Sequence, residues 1–524
     1  MFVKKSDSKP KTERIVVKIN DFSKGLNFDK EENVLDPNYC VAVYNFAYGK
    51  GVLTEGYGFS NLMCPNYVND DLAPMIQPPN VDWVDFKTMW FYKMYEADNG
   101  GRTDKLLFYG ADKRIYFSRI ICEFPYIFDY VTDTFDSPPT FSYNIKKDGK
   151  DYTIFGSETL GMYKFAGLGN PTKMESFPQL NSMCENKGKL FGSGYGERNV
   201  LYYHADTNFT TWLPSYTETY EVVDEETGEF ITHVLNNVFE MNDDRGKINK
   251  VVSFLDYVYA IRDYGITKII CYENKSNLDI IHLSLSGSRI YEDTVCICSD
   301  KMIMLTKDGL CSFNGVTSKV LNLGVNEMLK NQNNDFAKAV FHSGKYYLAC
   351  RLNFDDDNII GCENQTNYKN NALVILNAST NEYEILRGVD IACLCSIKLN
   401  KMDKIAILLN SVETQRVLEL NSNGKFFDQP LIKEWISPLS DLGYSNKIKF
   451  VRDFTILSKY DAEITIFTEN GSKSFSLKGK DTLNRIRVNL KGKQIGIKIK
   501  STIDKAYITN LKVSIDLIEY GFNK

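Results

Sequence analysis

The residues that could carry out chemistry in this chain are few and widely separated. Its four histidines are His204, His233, His282 and His342, and none has a serine or cysteine nucleophile nearby in a recognised catalytic setting. The chain has 67 Asp and Glu residues, but no pair of them stands out as the acid and nucleophile of a glycosidase. The sequence therefore predicts no catalytic residues and a protein that is not an enzyme.

Metal ligands and cofactor motifs are equally sparse. Asp355, Asp356 and Asp357 could bind Ca²⁺ together, but they lack the alternating ligands and the distal glutamate of an EF-hand loop, so we expect a solvated loop there. None of the 12 cysteines belongs to a Cys-x-x-Cys motif or to a Cys/His cluster with metal-ligand spacing. We expect no metal, no cofactor, and small buried thiols typical of proteins that fold in a reducing cytoplasm.

The elements that must position any site are short strands. In residues 292–323, four runs carry apolar residues at alternating positions, and turns of Asp, Lys, Gly or Asn separate them. The Lys307-Asp308-Gly309 tip tolerates positive φ, which predicts a tight hairpin between the two middle runs. Four such strands make one small sheet, which must stack against copies of itself to be stable.

The same central hairpin recurs along the chain, with starts 38 to 68 residues apart. This spacing brackets the length of a four-stranded propeller blade. The sequence therefore predicts an all-β protein whose main body, residues 63–430, is a β-propeller of six to eight blades, with seven as the preferred number. An irregular β-sandwich or two stacked sheets is the alternative. The recurring hairpins lie at residues 105–117, 151–165, 189–203, 257–272, 301–313, 345–376 and 403–418.

Residues 431–524 have a different character. Six alternating segments with many lysines at the polar positions predict a small C-terminal β-sandwich. This region has 17 Lys and Arg against 10 Asp and Glu, whereas residues 1–430 have 45 against 57. A basic sandwich would dock on an acidic neighbour, and a negative body argues against a general grip on DNA but suits a pore through which DNA slides. Ordinary solvated surface explains both charge balances equally well.

The N-terminal region combines a polar start with a dense series of turns. We expect residues 1–15 to be a flexible arm, and residues 16–62 to pack on the propeller and close it. Closure is expected through a strand at residues 14–20, or one soon after it, that joins the sheet containing residues 403–420. The skeleton of the segment at 16–62 is Gly25, Leu26, Asn27, Pro37, Asn45, Gly51, Leu53, Gly56 and Gly58.

The order of these residues resembles the N-terminal pattern of β-propeller tail proteins of bacteriophages. The related families are the tail tubular protein B (nozzle) proteins and the packaged-DNA stabilisation proteins of short-tailed phages. Trp212 follows a Leu-Tyr-Tyr run as in these families, and the turns at Gly265 and Gly309 are similar to their recurring blade elements.

The resemblance implies a structural role in the phage tail. Copies of the chain would form a homo-oligomeric ring, a nozzle or head-to-tail connector, that is part of the genome-ejection conduit. The partners would be portal, adaptor or other tail proteins, and genome DNA would pass through without sequence-specific binding. The protein would be assembled in the host bacterial cytoplasm and found in the virion.

Two other functions stay open. A propeller that binds host-surface carbohydrate or another protein would need an aromatic cluster with polar neighbours on one loop face. A propeller hydrolase is the less favoured alternative. The chain has no run of about 18 apolar residues and begins with polar residues, so we expect neither a membrane span nor a signal peptide.

Overall fold

The structure is a computed structural model in which almost all regular elements are strands, and this confirms the all-β class. Asn27, Pro37 and the three aspartates at 355–357 lie outside the residues that it describes. No helix in the described part of the chain is long and apolar enough to cross a membrane. The described residues are 11–26, 38–62, 86–93, 104–120, 127–167, 169–195, 199–213, 217–224, 226–236, 238–272, 278–283, 288–354, 368–399, 402–410 and 417–519.

Five strands precede the first blade, and they belong to three different sheets. They are β1 (Lys11–Ile19), β2 (Ala42–Tyr44), β3 (Phe46–Ala47), β4 (Leu53–Glu55) and β5 (Gly58–Asn61).

The first four blades follow, each an antiparallel sheet of four strands. Blade 1 contains β6 (Phe86–Tyr92), β7 (Lys105–Gly110), β8 (Arg114–Ile120) and β9 (Ile127–Thr134). Blade 2 contains β10 (Phe141–Lys147), β11 (Lys150–Ser157), β12 (Gly161–Phe165) and β13 (Thr172–Lys173). Blade 3 contains β14 (Leu180–Asn186), β15 (Lys189–Gly194), β16 (Val200–His204) and β19 (Val238–Glu240), with a separate hairpin of β17 (Thr217–Val223) and β18 (Phe230–Asn236) inserted before β19. Blade 4 contains β20 (Ile248–Phe254), β21 (Tyr257–Arg262), β22 (Ile266–Cys271) and β23 (Leu278–Leu283).

Three more blades complete the propeller. Blade 5 contains β24 (Cys296–Cys298), β25 (Lys301–Thr306), β26 (Gly309–Phe313) and β27 (Ser318–Val320), and the short helix α1 (Val325–Leu329) follows it. Blade 6 contains β28 (Lys338–His342), β29 (Lys345–Cys350), β30 (Ala372–Asn377) and β31 (Tyr383–Arg387). Blade 7 contains β32 (Ile391–Leu399), β33 (Met402–Leu409) and β34 (Val417–Asn421), with β5 as its outer strand and the small strands β35 (Lys425–Phe426) and β36 (Gln429–Pro430) beyond it.

The seven sheets form a closed ring. Each neighbouring pair of blades encloses its own hydrophobic cluster, and the first blade packs on the last through β6 and β32. Phe86 and Met89 of blade 1 meet Ile397 and Val417 of blade 7 in the cluster that completes the circle. The prediction of a propeller with seven blades is therefore confirmed, and each predicted hairpin is the second and third strand of a blade.

The chain closes the ring with β5. Its residues pair antiparallel with β34, from Gly58 opposite Asn421 to Asn61 opposite Leu418. The N-terminal segment therefore supplies the outer strand of the last blade, while residues 14–20, the other strand considered for this closure, lie elsewhere.

The C-terminal sandwich is built from two sheets. Its own strands are β37 (Lys433–Ile436), β38 (Ile448–Ser458), β39 (Ala462–Thr468), β40 (Gly471–Leu477), β41 (Asn484–Gly492), β42 (Ile495–Ser501) and β43 (Tyr507–Glu519). One sheet has the order β3-β4-β43-β38-β41, and the other has the order β2-β37-β42-β39-β40. The predicted sandwich is thus present, but β2, β3 and β4 from the N-terminal region complete it.

The expected flexible arm at residues 1–15 needs a correction, because residues 11–15 begin β1. This strand pairs with β43 along its whole length, and Arg14 lies opposite Asp516. The alternating apolar residues of β1 explain the pairing: Ile19 is buried in the sandwich core and Ile15 packs against it. A partner about 500 residues away leaves no mark in the local sequence.

Candidate functional site

The propeller and the sandwich meet at one place, which we call the junction. It consists of Tyr44, Asn45 and the strands β31 and β37. Strand β2 pairs with β37 of the sandwich, with Tyr44 opposite Glu434, and the chain then turns towards blade 6. The largest hydrophobic cluster extends from blades 5 and 6 through this segment into the sandwich. The two units therefore share a core here.

Asn45 makes the hydrogen bonds that connect the two sides of the junction. It is 1% exposed and has a φ of 59°, in the left-handed region that asparagine tolerates better than most residues. Its side-chain Nδ2 donates to the carbonyl of Ile432 at 2.7 Å and to that of Arg387 at 3.3 Å, and its Oδ1 accepts from the Arg387 amide at 2.9 Å. One amide group thus satisfies the backbone of β31 on one side and of the sandwich on the other.

A second set of contacts crosses the junction through side chains. The guanidinium of Arg387, which is buried, lies 4.9 Å from the ring centre of Tyr44 and 3.9 Å from that of Phe354. The Tyr44 hydroxyl donates to Glu434 Oε2 at 2.5 Å, and Lys498 Nζ lies 2.9 Å from Glu434 Oε1. A buried cation of blade 6 is connected in this way to an ion pair of the sandwich.

Two of the predicted glycines are required by close backbone contacts in the same region. A Cβ on Gly56 would lie 2.9 Å from the carbonyl oxygen of Asn45, and one on Gly58 would overlap the backbone of Lys425. Gly56 also donates its amide to the Asn45 carbonyl at 3.2 Å. Both positions therefore exclude any side chain.

The other predicted residues of the N-terminal segment have structural roles nearby. Gly25 and Gly51 have φ values of 65° and 74°, so each forms a turn in the left-handed region. Leu53 is fully buried. Leu26 is also buried, and it forms an isolated parallel β-bridge with Cys40. These residues surround the junction, but the sequence did not indicate that they join two units.

The remaining predicted residues lie in other blades. Trp212 is buried in the cluster between blades 2 and 3 and stacks on His204. Gly265 lies against the side chain of Arg245, and Gly309 has a φ of 122° in the hairpin of blade 5. The three residues do not form a common site.

A pocket of about 260 Å³ lies beside the junction, and we call it the blade 5–6 pocket. The turn at residues 23–26 covers it, and its walls come from the loop that follows β27 and from the turn between β30 and β31. Polar side chains dominate its lining: Lys24, Asn322, Lys345, Asn377, Glu382 and Glu384. Tyr48 adds an aromatic face. Such a mixture fits a small polar ligand better than an apolar one.

Glu384 is the unusual group in this pocket. Burial raises the pKa of its carboxyl group, and the nearby ammonium of Lys345 opposes that change. Its Oε2 is buried and makes no hydrogen bond within the described residues. Lys345 donates to the Tyr57 hydroxyl at 2.8 Å, so its ammonium is already engaged. The carboxyl group is thus available to a ligand that offers a donor.

The first strands of blades 4 and 6 each carry a lysine that contacts the turn before blade 5. Lys338 at the start of β28 forms an ion pair with Asp293, and Lys250 of β20 donates to two carbonyl groups of the turn at residues 292–295. Burial alone would raise the pKa of Asp293, but the ammonium groups of Lys338 and Lys250 lower it. These contacts therefore tie the turn before blade 5 to the first strands of blades 4 and 6.

Two thiols lie close to this ion pair. Hydrogen bonding between Cys393 and Cys395 lowers the pKa of the Cys393 thiol despite its burial, and Lys338 contributes to the decrease. The Cys393 thiol also donates to the carbonyl of Met89 at 3.1 Å. All nine cysteines in the described part of the chain are free thiols.

The densest cluster of titratable groups has a structural role. Arg262, fully buried, donates to the carbonyls of Met241 and Gly246 and pairs with Asp243. His282 Nδ1 lies 3.2 Å from Asp243 Oδ2. These contacts fix the loop from blade 3 to blade 4 and include no nucleophile. No group of three metal-ligating side chains occurs among the residues that the structure describes.

Comparison with known proteins shows little similarity in sequence. No protein-family model matches the chain, and no curated protein matches it. Among solved structures, Hsv2 of Kluyveromyces lactis has a TM-score of 0.31 at 9% identity, over 58% of this chain and 85% of that one. Raptor of Chaetomium thermophilum has a TM-score of 0.31 at 8% identity, over 63% of this chain and 28% of that one. Similarity this low carries no information on function.

Proposed function

We propose that this chain is a non-enzymatic structural protein that forms a ring in a bacteriophage tail and contributes to the genome-ejection conduit. The junction is the observation that carries the proposal. Asn45, Gly56 and Gly58, which belong to the N-terminal pattern that resembles phage tail proteins, lie where the propeller and the sandwich are joined. A fixed angle between two rigid units matters for a protein that works by its shape.

The path of the N-terminal segment supports a mechanical role. Strand β1 is held along β43, β2 is held by β37, and β5 completes blade 7. The N-terminal segment is therefore anchored in the sandwich by β1 and β2 and in blade 7 by β5, so that it ties the two units together. A protein that carries load during assembly or ejection benefits from this arrangement, whereas a catalyst gains nothing from it.

The partners in this proposal are other copies of the chain, portal or adaptor proteins, and other tail proteins. Genome DNA would pass without sequence-specific recognition.

Immunogold electron microscopy tests this function. An antibody against the purified chain is applied to virus particles recovered from the source material. We expect gold at the tail vertex of intact particles. Gold on cell envelopes or on free protein, with unlabelled particles, would overturn the proposal.

The blade 5–6 pocket favours a second candidate function, the binding of a small polar ligand such as a host-surface sugar. The unsatisfied Glu384 oxygen and the surrounding amides would accept and donate hydrogen bonds to hydroxyl groups. A glycan array probed with the wild-type chain and with Glu384→Gln tests it. We expect binding that Glu384→Gln weakens about 10-fold, the loss of one charged hydrogen bond. Equal binding of glycans by both proteins, or no binding by either, would exclude the blade 5–6 pocket as a sugar-binding site.

A further inference from the structure

The inserted hairpin of blade 3 is the most isolated element in the described structure. Strands β17 and β18 pair with each other over seven residues and belong to no other sheet. The turn between them is ordered by Asp224, whose Oδ1 accepts hydrogen bonds from the amides of Glu226 and Thr227. A two-stranded hairpin is only marginally stable in water by itself, so a surface that packs against it would stabilise it.

The hairpin is both acidic and apolar at its tip. Residues 217–236 contain six Asp and Glu residues and no Lys or Arg. Val223 and Phe230 lie opposite each other at the end of the two strands, and they are 49% and 71% exposed. An exposed aromatic residue surrounded by charges is the usual composition of a protein contact, with an apolar centre and a polar rim.

A surface of opposite charge lies on the sandwich, along the edge strand β41. Arg485, Arg487 and Lys491 alternate along this strand, and all three are exposed. Leu483, just before the strand, is 50% exposed and offers an apolar contact beside the basic residues. Strand β41 pairs with β38 on one side and ends its sheet on the other.

These two surfaces belong to different parts of one molecule. The hairpin extends from blade 3, whereas the sandwich shares its core with blades 5 and 6. In a ring of seven blades, blade 3 and blade 6 are three steps apart, which separates the hairpin from the blades that share a core with the sandwich. Complementary surfaces at two different places on a molecule join successive copies head to tail.

We propose that the β17–β18 hairpin of one copy docks on the β41 edge of the sandwich of a second copy. Phe230 and Val223 would cover Leu483, and the acidic side chains would face Arg487 and Lys491. The proposal rests on the proposed function, because it names the contact that joins copies into a ring. Repetition of this heterologous contact generates a closed ring when the rotation between copies divides a full turn.

Charge reversal with a mixing step tests the contact. One variant carries Glu221→Lys, Glu226→Lys and Glu229→Lys, and the other carries Arg487→Glu and Lys491→Glu. Asp224 is kept because it orders the turn, and Arg485 is kept because it pairs with Asp453. All the changed side chains are exposed, so we expect unchanged melting temperatures.

Mass photometry and light scattering after size-exclusion chromatography provide the readout. We expect the wild-type chain to assemble at low ionic strength and to dissociate as salt rises. Each variant alone should have a dissociation constant about 100-fold higher, because attraction becomes repulsion. An equimolar mixture should assemble again, since each variant then presents opposite charge to the other.

A matched control reverses three exposed acidic residues of other blades, Glu158→Lys, Asp300→Lys and Asp308→Lys, and should assemble like the wild type. If both charge variants assemble as well as the wild type, or if mixing the two variants fails to restore assembly, the hairpin contact is overturned. The ring would then have to form through another surface. A wild-type chain that is monomeric at every salt concentration would also overturn it. The labelling of virus particles tests the tail function separately, so the two failures are distinguishable.

Discussion

Replacing Asn45 with alanine tests the junction directly. The change removes the two hydrogen bonds that Nδ2 donates and the one that Oδ1 accepts, so the buried carbonyl of Ile432 loses its 2.7 Å donor. An orphaned buried polar group costs about 1–3 kcal/mol, and an alanine in the left-handed region costs about 1–2 kcal/mol more. We therefore expect a loss of about 3–5 kcal/mol in the free energy of unfolding.

The expected change in melting temperature follows from the size of the chain. Unfolding entropy is about 2.1 cal/mol/K per residue, which gives about 1.1 kcal/mol/K for 524 residues that unfold together. A loss of about 3–5 kcal/mol then lowers the melting temperature by about 3–5 °C. Differential scanning calorimetry measures this shift, and it also shows whether the propeller and the sandwich now melt in two separate transitions.

Two companion variants separate the causes. Asn45→Gly loses the same hydrogen bonds but tolerates the backbone angle, so it should be about 1 kcal/mol more stable than Asn45→Ala. Asn510 has a similar φ of 55° but is exposed. Asn510→Ala should therefore lower the free energy of unfolding only by the cost of placing an alanine in the left-handed region. An Asn45→Ala melting temperature within 1 °C of the wild type, or one no lower than that of Asn510→Ala, would refute the role given to the junction.

Three further outcomes are expected from the structure. Gly58→Ala places a Cβ against the backbone of Lys425 and should make the N-terminal segment accessible to limited proteolysis. Gly49→Ala should not, because the nearest atom to a Cβ there, Glu382 Oε2, is 3.7 Å away. Burial lowers the pKa of Lys433 to about 8 in the folded chain, which is below the pKa of the same group in the unfolded chain. Between these two pKa values the unfolded chain binds more protons than the folded chain, so the free energy of unfolding should rise with pH from about 8 to about 10. A Lys433→Met chain should lack that rise in urea titrations, and an identical pH profile would contradict it. Removing residues 1–25 uncovers β43 and should lower the melting temperature of the sandwich by several degrees while the closure of blade 7 through β5 remains; unchanged melting would exclude this role of β1.

The propeller could be predicted because its signals are local. In blade 5, for example, the hairpin combines alternating apolar residues with a turn that favours positive φ at Gly309, and both features lie within about 15 residues. The strands of the sandwich alternate in the same way. The six predicted segments correspond to β38–β43, whereas the short strand β37 was not among them.

The junction could not be predicted because its contacts are distant in sequence. Asn45 bonds to Arg387 and Ile432, which are 342 and 387 positions away. A glycine or asparagine at a turn shows that the backbone bends there, but it does not show which strand lies against the bend. The β17–β18 hairpin was missed for another reason: six acidic residues within positions 217–236 interrupt the alternation of apolar and polar residues.

Cryo-electron microscopy of virus particles from the source of this chain tests the proposed tail function most directly. We expect density at the tail vertex that accommodates a closed ring of these propeller–sandwich units around the tail axis, with the hairpin of each unit against the sandwich of the next. A tail vertex whose density is fully explained by other proteins, with no ring of this shape, would contradict the claim.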